Sequence, residues 1–270
     1  MPVRWVLEAH IFPDNHQQLA AAVAAAGHRL SWWDDAWLLD GMPAFADDVV
    51  LFHGSLGNAH HVAQQLSWQP GAFCHTQAFH CSAWYPSIKE HLVNQQWRSS
   101  TVKQLVEDSH AVLQGWPEGA PFFVRPDSPL KPFAGRVMQA KPLSLAALDH
   151  GFYYEDEHLP IIVAPVRQLG AEWRFLVVDG QLVAGSAYQA EGRAAKAEPI
   201  PDEVTRYAAE VLAALPTPEP LFMLDVCECD GGLKLLELNP FSGADLYLCD
   251  RHAVVDAVSA WMLRTASATG

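Results

Sequence analysis

The stretch LFMLDVCECDGGLKLLELNPFSGADLY, residues 221–247, leaves this chain few choices of fold. Two apolar runs flank Asp230-Gly231-Gly232, a sequence that reverses a chain sharply, so the stretch reads as a β-hairpin. With those three residues as the loop, Cys229 faces Leu233 and the pairing runs on to Asp225 opposite Glu237. Their Cβ atoms then lie about 5 Å apart. Asn239, two residues past Glu237, points to the same face. Glu228 and Lys234 make an ordinary ion pair on the other face. Carboxylates set opposite each other in a sheet repel unless something compensates them. Three oxygen-bearing side chains in one patch suit a hard divalent cation, Mg2+ rather than zinc. Asp225, Glu237 and Asn239 are the expected metal ligands, unless a bulge turns one carboxylate away or both are merely exposed.

A second hairpin, EWRFLVVDGQLVAGSAYQ, turns at Asp179-Gly180 and places Glu172, Arg174 and Leu176 on one face, with Arg174 opposite Gly185. An arginine beside an acidic metal patch suits a phosphate or a developing negative charge. A third segment, FFVRPDSPLKPFAGRV, ends an apolar strand in Arg125. It carries Lys131 on a Pro- and Gly-containing loop before re-entering a strand at Arg136. Loops bearing a cation can close over phosphates.

Upstream, short apolar runs at Trp5–Ala9, Leu30–Trp33, Val49–His53 and Ala72–His75 read as strands. They alternate with helix-like stretches, one of them capped by Asp14 and stopped by Gly27. That alternation predicts a small open α/β layer. HGSLGN, residues 53–58, sits at a strand's carboxyl end, where such sheets place ligands, although a plain turn into a helix over His60–Leu66 is the weightier reading. A helix is expected over Ser99–Leu113, capped by Ser99 or Ser100, and another over Pro201–Leu215. The tail from Arg264 is expected to fray. The boundary falls near residue 95, dividing the chain into 1–95 and 96–270.

Composition narrows the partners. A formal charge of −14 over 270 residues, with no run of Lys and Arg, argues against nucleic acid or an anionic membrane. The N-terminus lacks a signal-peptide pattern, and the Ala-rich run at Leu19–Gly27 is too short to cross a bilayer. Five cysteines, an odd number, read as free thiols of a cytoplasmic protein. CHTQAFHC, residues 74–81, lacks the spacing of paired zinc-binding cysteines, so its histidines read as core and surface residues.

Taken in order, these segments resemble the ATP-grasp superfamily, and within it the clade named for a conserved arginine and two lysines. The resemblance spans roughly residues 121–247. It rests on Arg125 and Lys131, the hinge IIVAPV, Glu172 with Arg174, and Asp225 followed by Glu237-x-Asn239-Pro240. It implies an α/β (α+β) fold, a small open α/β domain followed by antiparallel sheets with flanking helices. It implies ATP and Mg2+, with Mn2+ able to substitute. Arg125 and Lys131 then hold phosphates, the backbone of Ala164 and Val166 holds adenine, and Glu172 orients Arg174 or meets the ribose. Arg174 and Lys131 serve catalysis, and the second lysine is Lys141 or Lys196. The implied reaction is ligation of a small-molecule or peptide carboxylate to an amine through an acyl phosphate. A phosphotransferase or a nucleotide-binding module without turnover are the alternatives. Ser242 or Asp245 is the candidate wall of the acceptor pocket.

Overall fold

The computed structural model describes residues 1–45, 49–139, 143, 156–189 and 194–269. Strands β1 (Val3–Leu7), β2 (Arg29–Trp32), β3 (Val49–His53) and β4 (Pro70–Gly71) form a parallel sheet in the order β2-β1-β3-β4. Its central strands are apolar on both faces because both are covered. Val3, Trp5, Leu51 and the helix Pro13–Ala25 pack on one side; Val6, Val50, Phe52 and the helix Leu56–Gln65 pack on the other. The fourth strand is Pro70–Gly71 rather than Ala72–His75. Phe73 cannot join the sheet because its amide donates to Ser242 Oγ (2.9 Å) and its carbonyl accepts from the Ser242 amide.

Strands β5 (Arg98–Thr101), β6 (Phe122–Pro126), β7 (Arg136–Met138) and β8 (Pro160–Pro165) form an antiparallel sheet in the order β5-β8-β6-β7. Here the helix expected from Ser99 starts later. Ser99 and Ser100 pair with Ile162 and Ile161, and Thr101 forms a capping box with Gln104. The helix Val102–Glu107 stops at Asp108, whose side chain caps a separate turn, Ser109–Val112. Strands β9 (Leu169–Val178), β10 (Gln181–Gln189), β11 (Ala194–Lys196), β12 (Leu221–Cys229) and β13 (Gly232–Pro240) form the third sheet, ordered β11-β10-β9-β12-β13. The helix Asp202–Ala214 covers its outer face, starting from Pro201 as the sequence predicts.

The C-terminal helix, Arg251–Thr269, escaped the sequence reading, which expected a frayed tail. Val254, Val255, Val258 and Met262 recur at helical spacing and enter the same core as Trp5, Leu51, Leu176 and Met223. That helix thus fills the angle between the parallel sheet and the inner face of the third sheet. It covers only half of that inner face, and the uncovered half carries the charged residues. Among the described residues no helix is long and apolar enough to cross a membrane. Cys74, Cys81, Cys227, Cys229 and Cys249 are all free and buried.

Glu219, in the turn before β12, makes a first prediction. Its Oε1 accepts from the His75 amide (3.0 Å), while its buried Oε2 finds no partner among the described residues. Burial pushes the carboxyl up to about 8, opposed by the His75 amide. The folded state then keeps a proton that the unfolded chain releases, so stability falls as pH rises between the two values. Glu219→Gln keeps an acceptor and removes the titration. Urea denaturation is expected to find it more stable than the native chain by roughly 2–4 kcal/mol near pH 8.5, with little difference near pH 4.5. An equal gain at both pH values would contradict the titration.

Candidate active site

Strands β12 and β13 are joined by Asp230-Gly231, both in the left-handed region (φ 50° and 83°), the two-residue turn that matches strand twist. Cys229 therefore pairs with Gly232, not Leu233. That register alone sets Asp225 against Leu236. A bulge between Asp225 and Val226 absorbs Leu236 and restores Asp225 opposite Glu237, with Met223 opposite Asn239. The opposite face differs from expectation: Glu228 accepts from the Ala171 amide (3.2 Å), and Lys234 Nζ donates to the Glu90 carbonyl (2.9 Å). The tighter loop moved those two side chains out of register with each other.

A bulge also interrupts the hairpin of β9 and β10, between Leu182 and Ala184. Arg174 consequently lies opposite Ser186, and Gly185 faces Phe175. On its other side Arg174 is opposite Asp225, and it takes that carboxylate with two hydrogen bonds, Nε to Oδ1 at 2.8 Å and Nη2 to Oδ2 at 2.6 Å. Its Nη1 donates to the Asp245 carbonyl (2.9 Å), tying the sheet to the segment beyond β13. The guanidinium lies against Tyr188 and Tyr247, whose rings stack 4.7 Å apart. Glu172 therefore does not orient Arg174; Asp225 does.

Glu237 accepts from Lys131 Nζ at 2.9 Å and pairs with Arg125 Nη2 at 3.2 Å. Lys131 also donates to Asn239 Oδ1 (3.1 Å), and Asn239 Nδ2 reaches Glu237 Oε1 (3.0 Å) and Asp225 Oδ2 (3.3 Å). The facing carboxylates are thus compensated by three side-chain cations. Burial would raise the Glu237 carboxyl, but Lys131 and Arg125 outweigh it and hold it well below the usual carboxylate range. Burial likewise pushes the Asp225 carboxyl up against the pull of Arg174, and lowers the Lys131 ammonium against the pull of Glu237. Lys131 itself has a left-handed backbone (φ 49°), which aims its side chain back over the sheet.

Apart from Asp225, these groups line a cavity of about 930 Å³. Arg125, Lys131, Glu172, Arg174, Glu237 and Asn239 meet in it, while Asp225 lies fully buried behind Arg174. Ala164 and Val166 do not line it: Ala164 is buried in β8 opposite Phe123, and Val166 is exposed just beyond that strand. Lys141 lies outside the described residues, as does the Lys196 side chain. Ser242 is spent on Phe73 and Gly54, whereas Asp245 lines the cavity with Gly243 and Ala244.

The sequence reading missed Tyr188, Tyr247 and the wall residues Ile11 and Phe12, while Leu56, which joins that wall, belongs to HGSLGN. Tyr188 faces Glu172 only through the bulge between Leu182 and Ala184; the bulge-free register sets Ala187 there. No local signal marks Ile11 and Phe12, because they come from a loop that only the tertiary fold brings near. In HGSLGN, Ser55 caps the helix Leu56–Gln65, and Glu8 accepts from the Ser55 amide (2.7 Å) and Asn58 Nδ2 (3.1 Å). In CHTQAFHC, His80 pairs with Asp127 (3.3 Å), which also receives two hydrogen bonds from Ser82.

The donor set fits Mg2+. By ligand type Asp225, Glu237 and Asn239 offer the oxygens that a hard cation takes, with Asn239 Nδ2 at 3.3 Å from Asp225 and 3.0 Å from Glu237, while both Asp225 oxygens are held by Arg174. Rotating the Asn239 amide turns its oxygen toward the two carboxylates, since amide orientation follows its partners.

The sequence profile of the ATP-grasp domain, family 2 of the clade named for an arginine and two lysines, matches residues 93–257, more than half of the chain. No curated protein sequence matches. Among solved structures, D-cycloserine synthetase DcsG is similar with a TM-score of 0.63 at 16% identity, over 96% of this chain and 99% of that one. D-Alanine–D-alanine ligase from Bacillus anthracis, complexed with ATP, is similar at 0.59 and 13%, over 100% and 99%. The ATP-grasp ligase PsnB, complexed with a precursor peptide and AMPPNP, is similar at 0.53 and 16%, over 96% and 97%. At such identities the likeness is one of fold.

Proposed function

Because this chain belongs to the ATP-grasp family, in the second family of the arginine-and-two-lysines clade, we propose that it is an ATP- and Mg2+-dependent carbon–nitrogen ligase acting on an amino acid or peptide. The observation that carries this is the convergence of Arg125, Lys131 and Arg174 on Asp225, Glu237 and Asn239 in one cavity. Three cations held at an oxygen-ligand patch match what phosphoryl transfer needs, positioning and charge stabilisation rather than a protein nucleophile. Mg2+ at Asp225, Glu237 and Asn239, or Mn2+ in its place, supplies neutralisation of phosphate oxygens.

The substrate carboxylate attacks the γ-phosphorus, ADP leaves, and an acyl phosphate forms. The amine then attacks the acyl carbon, phosphate leaves, and the nitrogen loses a proton to give the amide. Arg125 and Lys131 hold the phosphates, leaving Glu237 as they do so. Arg174 stays fixed to Asp225 and presents its charge to the transferring group, which makes Lys131 and Arg174 the catalytic pair. Glu172 meets the ribose, and Ala164 with Val166 hold adenine once the sheets close. The divide near residue 95 belongs to the same reading: residues 1–95 supply the acceptor wall and 96–270 the nucleotide site. A cytoplasmic setting fits the free thiols.

ADP release under pools of amino acids and peptides tests this. Release with phosphate only when carboxylate and amine are both present is the expected result. ADP with a phosphorylated product and no free phosphate would make the protein a phosphotransferase. Nucleotide binding with no stimulated release would remove turnover from the reading.

A further inference from the structure

The loop after β1 has two sides. Ile11 and Phe12 line the cavity, whereas Glu8, Ala9 and His10 line a second hollow of about 470 Å³, floored by Trp32, Trp33 and Trp37. His10, which lines the hollow, and Ile11, which lines the cavity, are consecutive in the chain, so one loop borders both. His10 has a left-handed backbone (φ 67°), uncommon for a residue other than glycine, and it marks the ridge between them.

The surface of the hollow is apolar and acidic together. Trp32 is 44% exposed, and Trp33 and Trp37 line the hollow with it. Large apolar side chains gathered at the surface mark an interaction site. Asp34 and Asp35 are exposed beside them, each with Oδ1 engaged locally, by the Ala36 amide (2.9 Å) and by Trp33 Nε1 (2.8 Å). Among the described residues no cation meets these two carboxylates. Indole faces with carboxylates around them recognise a cation on an apolar stem, through cation–π attraction and charge.

We propose that this groove anchors a lysine- or arginine-like side chain of a peptide substrate whose reacting end lies in the adjoining cavity. The peptide commits to this chemistry because an acidic peptide meets repulsion from Asp34 and Asp35, and a free amino acid is too short to span cavity and groove. The inference rests on the cavity being a ligase site, and binding can be measured without turnover.

The test uses three dye-labelled, end-capped peptides of eight residues, built from Ala and Leu and carrying two Lys, two Gln or two Glu. Anisotropy titrations are run on the native chain, Trp32→Ala, the double variant Asp34→Asn/Asp35→Asn, and Glu237→Gln, with thermal melts to confirm folding. Asparagine keeps both local acceptors while removing charge. The Lys peptide is expected to bind the native chain at least about tenfold tighter than the others. That advantage should vanish in the Trp32 and double Asp variants and persist in Glu237→Gln. Equal binding of all three peptides, binding of none, or indifference to both groove changes overturns the proposal. Nucleotide affinity measured on the same samples separates the two ideas: if the native chain binds no Mg-ADP, the ligase reading fails while the groove result stands.

Discussion

Arg174→Met is expected to destabilise the protein by about 3–5 kcal/mol at neutral pH, because it strands a charge where water cannot reach. Asp225 is 0% exposed and both its oxygens are taken by the Arg174 guanidinium. Its remaining contacts, Tyr188 Oη and Asn239 Nδ2 at 3.3 Å each, are neutral and long. Burial already raises the carboxyl, and removing Arg174 takes away the main pull against it, so the carboxyl rises further. The folded variant then takes up a proton that its unfolded chain releases at neutral pH. Its deficit should therefore shrink as pH falls toward about 4. Asp225→Asn added to Arg174→Met should recover part of the loss at pH 7, since it replaces an uncompensated charge by a neutral amide. Urea denaturation of the single and double variants at two pH values measures all of this, alongside a drop in Tm of roughly 8–15 °C for the single change. A loss below about 1 kcal/mol with no rescue would mean that water or another cation reaches Asp225.

Glu237→Gln is expected to weaken Mg-ADP binding by about ten- to a hundredfold, or roughly 1.4–2.8 kcal/mol. In the native chain Glu237 pairs with Lys131 and Arg125, which hold its carboxyl well below the usual carboxylate range and keep it ionised. Glutamine keeps the shape but gives up the charge that a hard cation requires. Lys131, whose ammonium is already lowered by burial, loses the carboxylate that supports it. Chelating the metal should weaken nucleotide binding to the native chain by a similar factor and add little in the variant. Two perturbations of one interaction are not additive. Calorimetry with and without EDTA closes that cycle. A variant that keeps the full metal dependence would move the metal away from Glu237.

The two hairpins were legible because each carries its own signal, an Asp-Gly turn between apolar runs, and because alternation assigns faces without knowledge of the rest. The pairing of Asp225 with Glu237 came out as expected through two errors that cancelled, a loop one residue too long and an unseen bulge at Leu236. No equivalent cancellation protected Arg174, so its neighbour is Ser186 rather than Gly185. Bulges are invisible in the sequence because they answer to the twist and packing of the whole sheet. The C-terminal helix was readable from Val254, Val255, Val258 and Met262 and was passed over for its small, polar end.

By itself, then, the sequence determined which strand faces bear the charged and polar side chains: Asp225, Glu237 and Asn239 on one ladder, Glu172 and Arg174 on the next, Arg125 and Lys131 around a loop. Turn propensity and period-two alternation act over a few residues, and those residues are adjacent in the chain. The tertiary structure decided how the charges are matched. It gave Arg174 to Asp225, gave Lys131 and Arg125 to Glu237, and closed the cavity with Ile11, Phe12 and Leu56 from the far end of the chain. Such matching depends on separations of 51 to 112 positions along the chain, across which no local propensity acts, and on burial, which makes each unpaired charge costly enough to select its partner.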